Sequence, residues 1–232
     1  MNSKVILIVH GEPNSTFTEI LFKYFKNLKK KNRNKIVFIG CKKLFQKQMK
    51  ELNYKFKLNE IKNIDDTVLS SINIINVDYK FKKTFSKINS SSNRYIEKCF
   101  DLAIKLIKSH KLNKLINGPV SKTHFLKKKF PGITEYIGNK TDSKEQVMLI
   151  YNKKLAVSPL TTHIPLKSVN KYIKKEKIIN NVKIINNFYK TKLKKLPKIA
   201  LLGLNPHCET IDKISEENNE IIPAIKYMIK NK

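Results

Sequence analysis

Apolar residues in this chain fall in short runs separated by longer amphipathic stretches. Val5 to Val9, Ile36 to Gly40, Ile72 to Val77, Leu115-Ile116, Leu155-Ala156-Val157 and Ile199 to Leu202 are strand-sized. Their nearly unbroken apolar character predicts strands covered on both faces. Between them the period lengthens to that of a helix. Ile20, Leu21, Tyr24, Phe25 and Leu28 share one helical face, with Ser15 or Thr16 placed to cap it. Leu44 to Leu52 predicts a second helix, and Ile96, Cys99, Phe100, Ala103, Leu106 and Ile107 mark a third. Lys144 to Tyr151 predicts a short helix, and Val169 to Leu193 a long one broken near Lys177. A last helix spans Ile221 to Ile229, with Pro223 in its first turn. Asn53 to Ser71 is polar and ambiguous, and the Lys- and Ser-rich stretch Lys80 to Ser92 predicts an exposed connection. Strand and helix alternate, which predicts an α/β fold on a mostly parallel sheet.

Composition narrows the function classes. At 232 residues and 41% hydrophobic the chain can build a substantial core. No apolar run approaches the length of a membrane span, and the run Val5 to Val9 is too short for a signal-peptide core. Cys41, Cys99 and Cys208 are odd in number and widely spaced, with no zinc pattern, which predicts a reducing, cytoplasmic setting. The formal charge of +30 invites a nucleic-acid reading. The cations are nearly all lysine and spread along the whole chain, alongside abundant Asn and Ile. That is the composition of A/T-rich coding, and no nucleic-acid module is present, so no specific nucleic-acid partner is expected.

Two segments carry candidate chemistry of the same kind. Leu155 to Leu166 runs from an apolar stretch through Thr161-Thr162-His163 to Pro165, and Lys198 to His207 runs from an apolar stretch through Pro206 to a histidine. Two imidazoles at strand ends suit a shared first-row divalent ion; they equally suit two capped turns. Asn117-Gly118-Pro119-Val120-Ser121-Lys122 follows a strand, with glycine allowing close backbone approach and Lys122 a point charge suited to phosphate. Phe130 to Tyr136 reads as a turn displaying a hydroxyl and a carboxylate. Neither G-x-G-x-x-G nor G-x-x-x-x-G-K-[ST] occurs.

In order, Gly11-Glu12-Pro13, Asn117-Gly118-Pro119-x-x-Lys122, Pro131-Gly132-x-Thr134-Glu135, Thr161-Thr162-His163-x-Pro165-Leu166 and Gly203-Leu204-Asn205-Pro206-His207 resemble the 4-hydroxythreonine-4-phosphate dehydrogenases of pyridoxal phosphate biosynthesis. The resemblance implies a two-domain α/β/α sandwich of the isocitrate-dehydrogenase type, here with a first α/β domain at 1–125 and a second, metal-binding and dimerisation domain at 126–232. It implies oxidation of 4-phosphooxy-L-threonine by NAD or NADP, the β-keto acid then losing CO2 to give 3-amino-2-oxopropyl phosphate. It further implies a divalent metal (Zn, Mg or Co) held by three histidines, of which His163 and His207 match two, and a homodimer with its active site at the interface.

The family's substrate-binding His-Thr pair falls at Ile133 and Thr134. Lys122, whose charge suits the substrate phosphate, is a candidate near the site to which the resemblance assigns no role, and no residue is assigned to the cofactor. The chain departs from the pattern at Ile133, at Asn14 to Thr18 and at Cys208-Glu209-Thr210. Set against the family it ends at Lys232, ahead of the segment bearing the third metal histidine. The expected alternatives are a dehydrogenase of phosphorylated sugar acids such as threonate or erythronate 4-phosphate, and a shortened, non-catalytic homologue that binds phosphorylated metabolites.

Overall fold

The computed structural model describes residues 5–127, 129–143, 145–208 and 215–231. They form two compact units, 1–144 and 145–232. The stretch 126–144, assigned above to a second domain, packs within the first unit: Leu126, Phe130, Ile133, Tyr136 and Ile137 all join its core.

The first unit is built on five parallel strands, β1 (Ile6–Val9), β2 (Ile36–Gly40), β3 (Leu58–Glu60), β4 (Ile72–Asn76) and β5 (Leu115–Asn117), in the order β3-β4-β2-β1-β5. Every pairing is parallel. Side chains alternate across the sheet, as the period of a strand requires. Leu7, Val9, Val37, Ile39 and Ile75 face one core. Ile8, Ile36, Phe38, Ile72 and Ile74 face the other. Helices α1 (Phe17–Asn27) and α2 (Lys42–Glu51) close the second face. There Phe22 is fully buried, its ring 4.8 Å from Phe45 and 5.3 Å from Tyr54. Helix α3 (Asn93–His110) closes the first face with Tyr95, Ile96, Cys99, Phe100 and Ala103. The result is a three-layer α/β/α fold.

The polar region after α2, ambiguous in sequence, contains β3 and a 3₁₀ turn at Ile64–Asp66, closed by a reciprocal cap between Asn63 and Asp66. Phe130 to Tyr136 is not merely a turn: helix α4 (Ile133–Lys140) begins there, with Gly132 at its N-cap and Glu135 in its first turn. Lys140 then bridges Glu97 and Asp101 of α3 at 3.2 and 2.9 Å, fixing α4 against that helix.

The second unit is held by α5 (Lys175–Phe188) and α6 (Ile222–Lys230), which enclose Ile173, Ile178, Ile221 and Ala224. Glu220 caps α5, accepting from the Lys175 amide at 2.7 Å. Pro223 sits in the first turn of α6, as expected. Other expectations for this unit change. The long helix breaks at Ile173-Lys174, between a 3₁₀ segment (Leu166–Tyr172) and α5, and ends in a π-turn over Tyr189–Leu193. Residues 145–151 are not helical. Leu155 to Val157 and Ile199 to Leu202 are not buried strands either: Leu155 is 72% exposed and Leu202 84%. A strand needs a neighbour to take its backbone hydrogen bonds. Among the described residues of this unit only Ile150 and Val157 pair, as one antiparallel bridge. No helix among the described residues is long and apolar enough to cross a membrane.

Candidate functional site

In an open parallel sheet, ligands bind outside the carboxyl ends of the strands, where successive connections leave toward opposite faces. β1 and β5 are neighbours of this kind. The chain leaving β1 enters α1, on one face. The chain leaving β5 enters a π-turn (Lys122–Leu126), whose Phe125 and Leu126 pack on the other. The two motif turns, His10 to Pro13 and Asn117 to Lys122, therefore flank one crevice. Their backbones touch. The Glu12 amide donates to Pro119 O at 2.8 Å, and the Gly118 amide to Val9 O at 2.8 Å. A Cβ on Gly118 would lie 2.0 Å from His10 O, and Gly11 adopts φ +69° with a would-be Cβ 2.6 Å from Pro119 O. Only glycine permits this approach.

Beneath the crevice lies a polar network that sequence reasoning missed. His10, Thr18 and Gln48 are fully buried and Tyr95 nearly so. The Gln48 amide Nε2 donates to Pro13 O at 2.7 Å, which leaves its Oε1 to accept from the Thr18 hydroxyl at 3.0 Å. With its proton so used, Thr18 Oγ1 accepts from His10 Nε2 at 3.0 Å. His10 Nδ1 then accepts from the Tyr95 hydroxyl at 2.7 Å, and Tyr95 accepts from the Cys41 amide at 2.9 Å. In this arrangement the imidazole is neutral and protonated on Nε2. Burial drives its pKa down to about 3. Burial likewise raises the Tyr95 phenol, and it raises the neighbouring Cys99 thiol to about 12. Glu12, also buried, accepts from the Asn14 backbone and side-chain amides at 3.1 and 3.0 Å and from the Ser92 hydroxyl at 2.8 Å. It ties the β1 turn to the start of α3.

Ser121 caps the turn that carries Lys122, accepting from the His124 amide at 3.0 Å. Thr134 and Ile133 stand in the first turn of α4, with Ile133 half-buried against the core. All three belong to the first unit. His163 and His207 belong to the second and are exposed on irregular turns. His163 takes φ +57°, a conformation that costs a non-glycine residue free energy and concentrates at functional sites. The His207 amide donates to Asn205 Oδ1 at 3.0 Å. Glu217 holds the same turn from α6's side, its carboxylate accepting from the Leu204 and Asn205 amides at 2.8 and 3.1 Å. These amides, that of Asn205 first, keep the carboxyl below the usual range. Two imidazoles are suitable donors for a divalent ion, but among the described residues no three His, Cys, Asp or Glu side chains gather for one.

The Glu217 contacts make a first prediction. Glu217→Ala is expected to speed hydrogen exchange at the Leu204 and Asn205 amides roughly tenfold or more, because hydrogen bonds to a charged acceptor are the stronger ones. Unchanged exchange at both amides would remove Glu217 as the support of the His207 turn.

Comparison with known proteins now decides the family. Residues 31–232 match the family described as pyridoxal phosphate biosynthetic protein PdxA. The chain belongs to that family. A 4-hydroxythreonine-4-phosphate dehydrogenase of Sulfurihydrogenibium sp. is 38% identical over 228 residues, covering 95% of this chain and 69% of that relative. A protein of Oceanobacillus iheyensis provisionally named D-threonate 4-phosphate dehydrogenase is 26% identical, covering 99% of this chain and 72% of its own. The crystal structure of a 4-hydroxythreonine-4-phosphate dehydrogenase from Klebsiella pneumoniae superposes with a TM-score of 0.85 at 22% identity, over 99% of this chain and 73% of that one. The PdxA fold is thus reproduced along the chain, the parallel α/β/α sheet included.

Proposed function

We propose that this PdxA-family chain oxidises 4-hydroxythreonine-4-phosphate with NAD or NADP, in the cytoplasm and as a homodimer. The β-keto acid so formed loses CO2 to give 3-amino-2-oxopropyl phosphate. The observation that carries the reading is the 38% identity, along nearly the whole chain, to a relative bearing that enzyme's name. Three residues of the first unit act on the substrate. The Thr134 hydroxyl, presented by the first turn of α4, donates a hydrogen bond to it. Lys122, carried by a turn that Ser121 caps, supplies a positive charge for its phosphate. Ile133 contributes an apolar wall where the family's histidine would hydrogen-bond. His163 and His207 offer two imidazole donors to a divalent ion (Zn, Mg or Co). When bound, such an ion supplies Lewis-acid polarisation of the substrate oxygen. The nicotinamide, when bound, supplies the hydride acceptor.

Ile133 favours a second reading as well. A site without the hydrogen-bonding histidine suits a substrate lacking the amino group, such as threonate 4-phosphate, and one relative carries that name. The test is formation of reduced nicotinamide by the purified chain with divalent metal, the two acids competing. Preference for 4-hydroxythreonine-4-phosphate by about tenfold or more in kcat/KM is expected. The reverse preference replaces the first reading by the second. Turnover of neither leaves a non-catalytic homologue that binds phosphorylated metabolites.

A further inference from the structure

The chain carries only two arginines, Arg33 and Arg94, among 48 basic side chains. Where lysine is used almost everywhere, an arginine marks a place where the planar fork matters. Arg33 shows the rule. Nearly buried, it donates from Nη2 to Phe25 O at 3.0 Å and from Nη1 to Ser70 O at 3.4 Å, and it stands over the Phe56 ring. Its planar fork serves both carbonyls at once while its face lies on the ring. Arg94 has no such employment. It is exposed in the first turn of α3 and forms no ion pair among the described residues.

What surrounds Arg94 gives the fork a use. It lines a cleft of about 620 Å³ together with Lys43, Lys80, Lys98, Asp78 and Tyr79. The cleft lies outside the carboxyl ends of β2 and β4. Here too the connections diverge. The chain leaving β2 enters α2, which packs mainly on one face. The chain leaving β4 places Val77, Tyr79 and Phe81 on the other. This second crevice satisfies the same topological rule as the one between β1 and β5. Helices α2 and α3 both start beside it, adding the partial positive charge of their first turns. Four cations face one carboxylate, and that carboxylate, Asp78, already accepts from the Asn76 side-chain amide at 2.9 Å. Lys43, Lys80 and Lys98, like Arg94, form no ion pair among the described residues.

We infer that this crevice is a phosphate-binding site, with the Arg94 guanidinium gripping two phosphate oxygens and Lys43, Lys80 and Lys98 as surrounding point charges. A phosphomonoester and a pyrophosphate share this chemistry. The site needs neither turnover nor a metal, so it stands apart from the dehydrogenase reading.

The experiment titrates the whole chain with inorganic phosphate and, in parallel, inorganic pyrophosphate at roughly 150 mM salt, where diffuse attraction between exposed charges is largely screened. Binding is read from amide chemical shifts. Saturable shifts centred on Lys43, Arg94 and Lys98 are expected, and the tighter of the two anions names the ligand type. Arg94→Lys keeps the charge and loses the fork, so affinity is expected to fall about tenfold. Lys26→Ala, on the exposed face of α1, is expected to change affinity less than about twofold. Lys98→Ala gives a second variant, expected to weaken binding about threefold, should Arg94→Lys alter folding. Absence of saturable binding overturns the proposal. So does equal weakening by Arg94→Lys and Lys26→Ala, which would reduce the effect to general charge. Either failure leaves the dehydrogenase assay untouched.

Discussion

His163→Ala and His207→Ala, introduced singly, are each expected to lower turnover of 4-hydroxythreonine-4-phosphate on the order of a thousandfold or more while leaving the fold intact. Both halves of that expectation come from position. The two imidazoles sit on exposed turns of the second unit, outside the cluster of Ile173, Ile178, Ile221 and Ala224. Truncating an exposed side chain of this kind shifts stability by about 0.5 kcal/mol or less. For His163, whose backbone is left-handed, alanine fits no better than histidine, so no hidden gain is expected. Urea midpoints of both variants should therefore match the parent. A catalytic loss without a stability loss assigns the imidazoles to the chemistry. Bound zinc per chain, falling in parallel with turnover, would make them donors to the ion. Full activity in either variant removes that histidine from the site.

The central strands β1, β2 and β4 were legible because they are buried on both faces, whereas β3, partly exposed and polar, was not. Val5 to Val9 and Ile36 to Gly40 are unbroken apolar runs, and both became central parallel strands. Helix α3 was legible because six apolar residues keep one face over three turns, and those residues meet the sheet. Leu155 to Val157 and Ile199 to Leu202 have the same composition as true strands but, among the described residues, no ladder beyond the single Ile150–Val157 bridge. Periodicity reads residue types, and a strand is defined by its neighbour. Helix α4 could have been found, since Gly132 before Ile133 and an acidic Glu135 in the first turn form a helix-start pattern. The pattern was masked by Pro131-Gly132, which also signals a turn. In the candidate site, the motif turns were visible as motifs, but the contact that makes them one crevice joins residues over a hundred positions apart. The His10 network was beyond reach for the same reason: His10 meets Tyr95 across 85 positions, and nothing local distinguishes His10 from a solvated turn residue.

Acidification should destabilise the first unit from just below neutral pH, and His10 should carry much of the effect. The imidazole is held neutral with its pKa at about 3, against 6.5 when unhindered. In the unfolded chain it takes up a proton near pH 6.5, whereas in the folded chain it does so only near pH 3. Between those values the unfolded state binds more protons, so stability is complete above pH 6.5 and declines as pH falls. The limiting slope is about 1.4 kcal/mol per pH unit, which over two units amounts to roughly 2–3 kcal/mol, a large part of a typical domain's margin. The network gives the structural reason. A proton on Nδ1 would face the hydrogen of the Tyr95 hydroxyl, which would have to turn away from His10 and surrender the bond it donates there. His10→Gln separates this from the titration of carboxylates, most of which protonate below pH 5. The variant is expected to be less stable at pH 7 by about 1–3 kcal/mol, because Tyr95 or Thr18 loses its partner. Between pH 7 and pH 5 its stability should be nearly flat, so that the two curves converge. Urea unfolding followed by tyrosine fluorescence at pH 7, 6 and 5 measures both. Parallel curves would mean that His10 titrates alike in the folded and unfolded chain, and the buried neutral imidazole would have to be given up.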